Sequence, residues 1–306
     1  MSVESANRLE KNPAVDKENI ASLSARGRTI PVGHRPLVMG IVNINDDSFS
    51  GDGKIDARWA LARAREIVEE GADIVDVGGE SARTNRPPVS EDEEWGRIAS
   101  FVTEFPSMMK TARPRDEAQV FPPLLSVNTW RTGVVTRALN AGCDLLNDMG
   151  GLPDDTHARL CAEHGTALLI MHTKGEPKIP QTHVQYRDVM VELEEFFEGK
   201  VALATAAGLS KNSIVIDPGI DFAKQTGDNL RIYRELGRLA HFKCPILLPV
   251  SRKGTIGHVL GIPDPAERDA GTTACIVAGA LRGACIFRVH NVNAAWLALH
   301  AVASVR

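Results

Sequence analysis

Polar side chains stand where short apolar runs of the sequence end, and four of them can carry positive charge. Arg252 and Lys253 follow one run, and Arg288 and His290 lie at the end of the next run along the chain. Guanidinium, ammonium and imidazole groups bind oxyanions such as phosphate. These two consecutive runs therefore predict a binding site for a small anionic group.

A second set consists of short planar side chains at the ends of other runs, namely Asn128, Asn147 and Asp217. A carboxylate accepts two parallel N–H bonds from an amidine-like edge, such as that of a 2-amino-pyrimidinone. Burying these groups without partners would cost about 1–3 kcal/mol for each unsatisfied group. We therefore expect a ligand that is planar at one end and anionic at the other.

These residues lie at the ends of apolar runs, and the sequence contains eight runs with the length and composition of buried strands. They cover residues 37–44, 73–78, 124–128, 144–148, 167–172, 213–219, 245–251 and 285–290. Amphipathic segments alternate with them at residues 57–70, 91–104, 131–141, 154–164, 187–207, 229–240, 266–281 and 293–302. This alternation predicts βα units that build a parallel sheet.

Two α/β architectures share this alternation: a closed barrel and an open doubly wound sheet. Open sheets of this kind usually have about six strands, and no GxGxxG motif follows the first run. The eight runs favour a single (β/α)8 TIM barrel, whose strand C-termini carry the site. Residues 34–306 are assigned to this barrel and the polar residues 1–33 to a flexible N-terminal extension.

The composition is that of an ordinary globular protein, with 306 residues, 43% hydrophobic residues and a formal charge of −4. This charge gives no electrostatic reason to expect nucleic acid or an anionic membrane as a partner. No run approaches the roughly 20 apolar residues of a membrane span. The five scattered cysteines form neither a disulfide nor a metal pattern. We expect a cytoplasmic protein.

Eight motifs in register resemble the dihydropteroate synthase family of pterin-binding enzymes. They extend from about Leu37 to the C-terminal region and read MGIVNINDDSFSGDG, GADIVDVGGESAR, SVNTW, GCDLLNDMGGL, LLIMHTKGEP, IVIDPGIDFAK, PVSRKGTIG and FRVHN. The resemblance implies a barrel that condenses p-aminobenzoate with 6-hydroxymethyl-7,8-dihydropterin pyrophosphate, giving 7,8-dihydropteroate and pyrophosphate. It also implies a Mg²⁺-dependent transferase of folate biosynthesis, a sulfonamide target, and a homodimer packed through the late helices.

By position, the resemblance implies a role for each candidate residue. Asn43 would bind Mg²⁺ carried by the pyrophosphate, which would be held by Arg83, Arg288 and His290. The pterin would be bound by Asn128, Asn147, Asp217 and Lys253. p-Aminobenzoate would be enclosed by Phe222, Ser251 and Lys253 and by the loops around Phe49 and Arg83. The candidate catalytic residues are Lys253, Asp217 and Arg288.

The sequence departs from the family pattern at several positions. Asn128 stands where the family has an aspartate, and Thr84 where it usually has a proline. The first loop also lacks a proline, and Asn291 replaces an aspartate. Most of these changes fall near the expected amine site. They predict an altered p-aminobenzoate pocket and an altered response to sulfonamides.

Two other functions remain open at this point. A related pterin-binding barrel transfers a methyl group from methyltetrahydrofolate to a corrinoid, but such an enzyme has no need of the SRK and RVH cations. The neutral amide of Asn128 also leaves room for a non-catalytic barrel that retains pterin binding.

Overall fold

The computed structural model describes residues 22–33, 35–45, 53–81, 86–179 and 184–305. Within these ranges, eight parallel strands form one sheet that curves into a barrel. The barrel strands are β3 (Leu37–Asn43), β4 (Ile74–Gly78), β5 (Leu124–Asn128), β6 (Leu145–Asp148), β7 (Ala167–Met171), β8 (Ile214–Asp217), β9 (Leu247–Leu248) and β10 (Ile286–Val289).

The order of hydrogen-bonded strands is β8-β7-β6-β5-β4-β3-β10-β9. A parallel bridge between Ile216 and Ile246 joins the two ends of this sheet. The barrel therefore closes, and the predicted (β/α)8 TIM barrel is confirmed. Its strands are buried on both faces, which explains why they read as continuous apolar runs.

Helices surround the barrel at nearly all the predicted segments. They are α1 (Ala57–Glu69), α2 (Glu91–Met109), α3 (Thr132–Asn140), α4 (Thr156–His164), α5 (Val189–Ala206), α6 (Thr226–Glu235), α7 (Gly254–Leu260), α8 (Asp269–Ala280) and α9 (Val292–Val305). The sequence analysis missed α7, a seven-residue helix directly after Lys253 that is too short to show a full amphipathic period. None of the helices described here is both long and apolar enough to span a membrane.

A hairpin closes the N-terminal end of the barrel and corrects the predicted boundary of the extension. Strands β1 (Ser22–Ala25) and β2 (Arg28–Pro31) pair in antiparallel fashion around a turn at Arg26 and Gly27, both with positive φ. Leu23, Ile30 and Val32 pack into the interior core with strand residues such as Leu37 and Ile74. Residues 22–33 thus belong to the folded barrel. Their polar alternate positions concealed this, and residues 1–21 lie outside the described part.

The alternation of side chains along each strand separates an apolar base from a polar mouth. In β4, Ile74 lies in the interior core and Asp76 two residues later is the next inward side chain. In β5, Leu124 and Ser126 follow the same order. Apolar side chains therefore fill the N-terminal half of the barrel, and polar side chains form the floor of a site at the C-terminal half.

Candidate functional site

Amide side chains form a row across neighbouring strands at the mouth of the barrel. Asn43 pairs in register with Gly78, Gly78 with Asn128, and Asn128 with Asn147. Asn128 and Asn147 are buried, with only 4% and 3% of their surface exposed. Parallel pairing thus brings together residues that lie far apart in the sequence, as predicted.

Asp76 lies one layer below this row and bonds to one of its members, Asn147. This carboxylate is fully buried. Its Oδ1 accepts a hydrogen bond from the hydroxyl of Ser126 at 2.6 Å, and both of its oxygens lie 3.2–3.3 Å from Nδ2 of Asn147. Arg288 donates from Nε to Oδ2 at 2.7 Å. Asp76 therefore orients one amide of the planar site and one cation of the anion site.

Asn128 differs from Asn147 in the partner of its amide nitrogen. Its Nδ2 lies 2.9 Å from the thioether sulfur of Met149, which is a weak acceptor and has no proton to donate. Its Oδ1 is buried and has no hydrogen-bond partner among the residues that the structure describes. An unpaired buried acceptor costs about 1–3 kcal/mol, which indicates that a ligand donor completes this position.

Asp217 ends β8 and is 4% exposed. Its Oδ1 accepts the backbone N–H of Gly219 at 2.7 Å. Burial raises the pKa of Asp217 to about 6, although this hydrogen bond and the charges of Lys253, Lys224 and Arg288 oppose the shift. The carboxylate is therefore ionised at neutral pH, and it can accept two parallel N–H bonds.

Lys253 lies beside Asp217 at the start of α7. Its Nζ donates to the carbonyl of Ile220 at 2.9 Å and lies 4.6 Å from the ring centre of Phe222. Burial lowers the pKa of Lys253, while the charges of Asp221 and Asp217 oppose that shift. The structure thus brings Lys253, Phe222 and Asp217 together, as the sequence predicted.

A second lysine lies next to this group and was missed by the sequence analysis. Lys224 donates from Nζ to Nδ1 of His172 at 2.8 Å and to the carbonyl of Phe222 at 3.0 Å. Burial lowers the pKa of Lys224 to about 7 and that of His172 to about 2. His172 is thus a neutral acceptor, and Lys224 fixes the loop that carries Phe222.

Ser251 and His290 form a buried pair on the anion side of the site. The hydroxyl of Ser251 lies 2.8 Å from Nδ1 of His290 and also accepts its backbone N–H at 3.1 Å. Arg252, by contrast, forms two hydrogen bonds with Asp269, at 2.8 and 3.2 Å. The structure gives Arg252 a carboxylate partner on α8, whereas His290 remains on the inner side with Arg288.

Arg268 holds the loop that carries Lys253. This guanidinium is 8% exposed and donates to the carbonyls of Arg252 at 3.0 Å, Ile262 at 2.9 Å and Pro263 at 2.5 Å. Such a set of donors fixes both ends of α7 at once. Arg268 is thus a positioning residue that motif reasoning did not single out.

A buried ionic cluster links three loops at the rim of the barrel. Arg131 pairs with Glu80 and, at 2.5 Å, with Glu94, while Lys178 lies 3.2 Å from Glu80. Both carboxylates are 1% exposed. The cluster stabilises the described start of the loop after β4.

The predicted residues Arg83 and Phe49 lie outside the described residues.

The donor set at the mouth fits a cation that arrives with a phosphate-bearing ligand. Asn43 ends β3, and the alternation of side chains places its amide on the same face as Met39, which lies in the interior core. In the ranges that the structure describes, no group of three His, Cys, Asp or Glu side chains could hold a metal ion. Mg²⁺ commonly binds through one or two protein oxygens and substrate phosphates, so the residues present fit that mode.

Comparisons with known proteins match this geometry. Residues 39–290 match a family model described as pterin binding enzyme. The dihydropteroate synthase of Neisseria meningitidis serogroup C is 37% identical over 272 residues, covering 87% of this chain and 92% of that protein. The chain belongs to the dihydropteroate synthase family. The enzyme of Escherichia coli K12 is 35% identical, covering 89% of this chain and 92% of its own length.

Solved structures of dihydropteroate synthases show the same fold. The Yersinia pestis enzyme in a sulfonamide drug complex has a TM-score of 0.83 and 35% identity, covering 93% of this chain and 98% of that chain. The Thermus thermophilus enzyme in complex with 4-aminobenzoate has a TM-score of 0.80 and 34% identity. The match covers 93% of this chain and 100% of that chain. The predicted resemblance and function are confirmed: the chain is a dihydropteroate synthase, a transferase of folate biosynthesis.

Sequence reasoning missed Asp76 although a signal for it was present. Asp76 interrupts the apolar run IVDVG of this dihydropteroate synthase at an inward position. A charge on the inner face of a barrel strand requires a buried partner. The partner, Arg288, lies 212 residues away in sequence, and only the closed sheet order makes them neighbours through β3.

Proposed function

We propose that the barrel mouth binds 6-hydroxymethyl-7,8-dihydropterin pyrophosphate with its two ends in separate zones. The pterin lies over Asn128, Asn147, Asp217 and Lys253, and the pyrophosphate lies beside Arg288 and His290. Arg83, to which the resemblance also gives a role in holding the pyrophosphate, lies outside the described residues. The observation that carries this proposal is Asp76, which binds both Asn147 and Arg288 and so adjoins the two zones. Thermus thermophilus dihydropteroate synthase in complex with 6HMPPP supports the proposed substrate.

The chemistry follows from the charges in these zones. The C–O bond of the pterin methylene breaks, and its electron pair leaves with the pyrophosphate. Arg288 and His290 stabilise the departing anion, while the carboxylate of Asp217 stabilises positive charge that spreads over the pterin ring. Because the methylene carbon is then electron-poor, the reaction needs no serine or cysteine nucleophile in the protein.

The amine substrate, p-aminobenzoate, completes the reaction. Its nitrogen lone pair forms the new C–N bond, and the nitrogen then loses a proton. Phe222, Ser251 and Lys253 form the described part of its pocket. Enclosure matters because water that reached the cation-like carbon would compete with the amine. Departures from the family pattern, such as Thr84, support the predicted altered response to sulfonamides.

Asn43 is the proposed protein ligand of a Mg²⁺ ion that the pyrophosphate carries. When bound, the ion neutralises charge on the leaving group. Asn43 suits this role because an amide oxygen binds the ion without adding negative charge beside the leaving anion. The proposal predicts that Asn43→Leu weakens binding of the pyrophosphate-bearing substrate while leaving that of the plain pterin unchanged.

We further propose a homodimer in a reducing, cytoplasmic environment. Apolar side chains about half exposed lie on three consecutive late helices and their ends: Val259 (54%), Leu260 (50%), Leu281 (47%) and Leu297 (51%). Burying such residues between two copies would remove apolar surface from water. All five cysteines are free thiols, which suits a reducing compartment. Sedimentation analysis of the wild type and of Leu297→Glu tests the dimer.

Two variants test the zoned site directly. Asp217→Ala should abolish binding of 6-hydroxymethyl-7,8-dihydropterin, because the amidine-like edge loses its charged acceptor. Arg288→Ala should leave that binding within a few-fold and weaken the pyrophosphate-bearing ligand by about 10–100-fold, the effect of one charge-assisted hydrogen bond. Calorimetric titration of both ligands measures this. Equal loss of the plain pterin in both variants would contradict the separation into zones.

A further inference from the structure

A cavity of about 550 Å³ lies at the base of the barrel, away from the mouth where the substrates are proposed to bind. It is bounded by the end of α2, by residues before and at the start of β5 and β6, and by Arg28 of the hairpin. Leu125, which lines the cavity, stands three residues before Asn128, about 10 Å away along β5. The cavity is therefore separate from the pterin and p-aminobenzoate sites.

The walls of this cavity are mainly apolar. Phe105 and Met109 on α2 are buried, and Phe121 adds a half-buried ring. Three prolines complete the walls, namely Pro106, Pro122 and Pro123. The pyrrolidine ring fixes φ, so this part of the wall is rigid before any ligand arrives. A cavity of this volume, with apolar walls and a few polar groups, is typical of small-molecule sites.

Asp144 supplies a hydrogen-bond acceptor beside the apolar walls. Its Oδ2 accepts the backbone N–H of Leu125 at 2.9 Å. Its Oδ1 receives no hydrogen bond from any residue that the structure describes. Burial raises the pKa of Asp144, although this hydrogen bond and the charges of Arg28 and Arg26 oppose the shift. A ligand with a cationic N–H donor would supply the missing partner.

Arg28 supplies the opposite charge. Its Nη2 donates to the carbonyl of Pro122 at 2.8 Å, and its other nitrogens have no partner within the described ranges. Arg28 is close enough to Asp144 for their charges to interact, but these two described residues form no direct ion pair. Lys110 also lines the cavity but is exposed, so water screens its ammonium. Arg28 and Asp144 thus offer an anion site and a cation site beside one apolar wall.

A zwitterion that carries an aromatic ring matches these features together. Its ammonium would donate to Oδ1 of Asp144, and its carboxylate would accept from Arg28. Its ring would contact Phe105 and Phe121. A hydrocarbon would leave both charges without partners, and a simple aromatic anion would bring a second negative charge close to Asp144. We propose that this cavity is a binding site for an aromatic α-amino acid.

Calorimetric titration of the full chain with L-tryptophan at neutral pH tests this site. The dissociation constant should be about 1 mM or lower, as expected for a ligand of this size. Tryptamine lacks the carboxylate and indole-3-propionate lacks the ammonium. Each analogue should bind at least about tenfold more weakly, because one charge-assisted hydrogen bond is lost. If either analogue binds as tightly as L-tryptophan, the recognition of a zwitterion is overturned.

Two variants place the ligand in the cavity. Asp144→Asn and Arg28→Met should each weaken L-tryptophan binding by about tenfold or more. The asparagine keeps an oxygen for the N–H of Leu125, so this variant removes the charge and preserves that hydrogen bond. Arg238→Met is the matched control, since Arg238 pairs with Glu194 and Glu235 outside the cavity, and it should leave binding unchanged. If both cavity variants bind L-tryptophan as the wild type does, the site is not this cavity.

The outcomes are independent of the proposed function. Saturation with 6-hydroxymethyl-7,8-dihydropterin and p-aminobenzoate should leave L-tryptophan binding unchanged, and Asp217→Ala should bind L-tryptophan as the wild type does. Competition would place the amino acid in the barrel mouth and overturn the inference. Absence of binding at about 10 mM L-tryptophan would also overturn it, while leaving the proposed reaction untouched. The analogue series needs no variant, so a failure of Arg28→Met to fold does not remove the test.

Discussion

Nε of Arg288 lies 2.7 Å from Oδ2 of Asp76, and this contact links the two functional zones of the barrel. Asp76 is fully buried and also accepts hydrogen bonds from the amide of Asn147 and the hydroxyl of Ser126. One carboxylate therefore sets the orientation of an anion-binding cation and of a pterin-binding amide. Because Asp76 lies on β4 below both the pterin zone and the pyrophosphate zone, it acts on the substrate through these neighbours.

Replacing Asp76 should impair substrate binding more than it impairs folding. In Asp76→Asn the charge that holds Arg288 is lost, and the Asn147 amide loses its fixed direction. We expect the KM for the pterin pyrophosphate to rise by about tenfold or more, from the loss of one or two oriented hydrogen bonds. Steady-state kinetics of pyrophosphate release measures this.

Asp73, directly before the first residue of β4, provides the matched control. Its carboxylate is also fully buried and pairs with an arginine, Arg35, through bonds of 2.9 and 2.6 Å. Asp73→Asn should lower the free energy of unfolding, as loss of one partner of a buried pair does by about 3–5 kcal/mol. It should leave the KM unchanged. Equal KM changes in Asp73→Asn and Asp76→Asn would contradict the role given to Asp76.

Pterin binding should depend on pH through Asp217. Because the pKa of Asp217 is raised to about 6, the carboxylate gains a proton as the pH falls through that value. Protonation removes one of the two acceptors, so affinity for 6-hydroxymethyl-7,8-dihydropterin should fall about tenfold per pH unit below 6. Asp217→Asn should bind weakly at every pH, without this slope.

The raised pKa of Asp217 also predicts that the stability of the fold changes with pH in the direction opposite to that of pterin affinity. A carboxyl group whose folded pKa exceeds its unfolded value destabilises the fold when it ionises, so the cost is present above about pH 6 and absent below about pH 4. Asp217→Asn should therefore raise the Tm at neutral pH, relative to the wild type, and lose this advantage in acid. A lower Tm for Asp217→Asn at neutral pH would show that the carboxylate is stabilised rather than strained.

The sequence predicted the barrel because its strands are buried on both faces and read as apolar runs. It also placed Asn128, Asn147 and Asp217 at one rim, since the C-terminal ends of parallel strands converge. It could not predict that Arg252 pairs with Asp269, because charge alone does not say which cation faces inwards. The hairpin at residues 22–33 was missed for a related reason: two four-residue strands contain too few apolar positions to show a period.

Gly219 offers a test of how the chain positions Asp217. Its φ is 67°, and a Cβ atom there would lie 2.0 Å from the carbonyl oxygen of His172. Its N–H also donates to Asp217. Gly219→Ala should therefore displace the carboxylate and reduce pterin affinity by about tenfold or more, since backbone strain of this kind alone costs about 1–3 kcal/mol.

Gly227 is the corresponding control. It lies in the first turn of α6, and a Cβ atom there would meet nothing within 4 Å. Gly227→Ala should raise the free energy of unfolding by about 0.5–1 kcal/mol, the usual difference between glycine and alanine in a helix, and leave pterin binding intact. If Gly219→Ala binds pterin as well as Gly227→Ala does, the backbone of this turn does not position Asp217.

The central claim is that this chain displaces pyrophosphate from a dihydropterin by attack of an amine. The most direct measurement is release of pyrophosphate from 6-hydroxymethyl-7,8-dihydropterin pyrophosphate in the presence of Mg²⁺, with and without p-aminobenzoate. Release should depend on the amine and yield 7,8-dihydropteroate in equal amount. Absence of release, or release at the same rate without the amine, would contradict the claim.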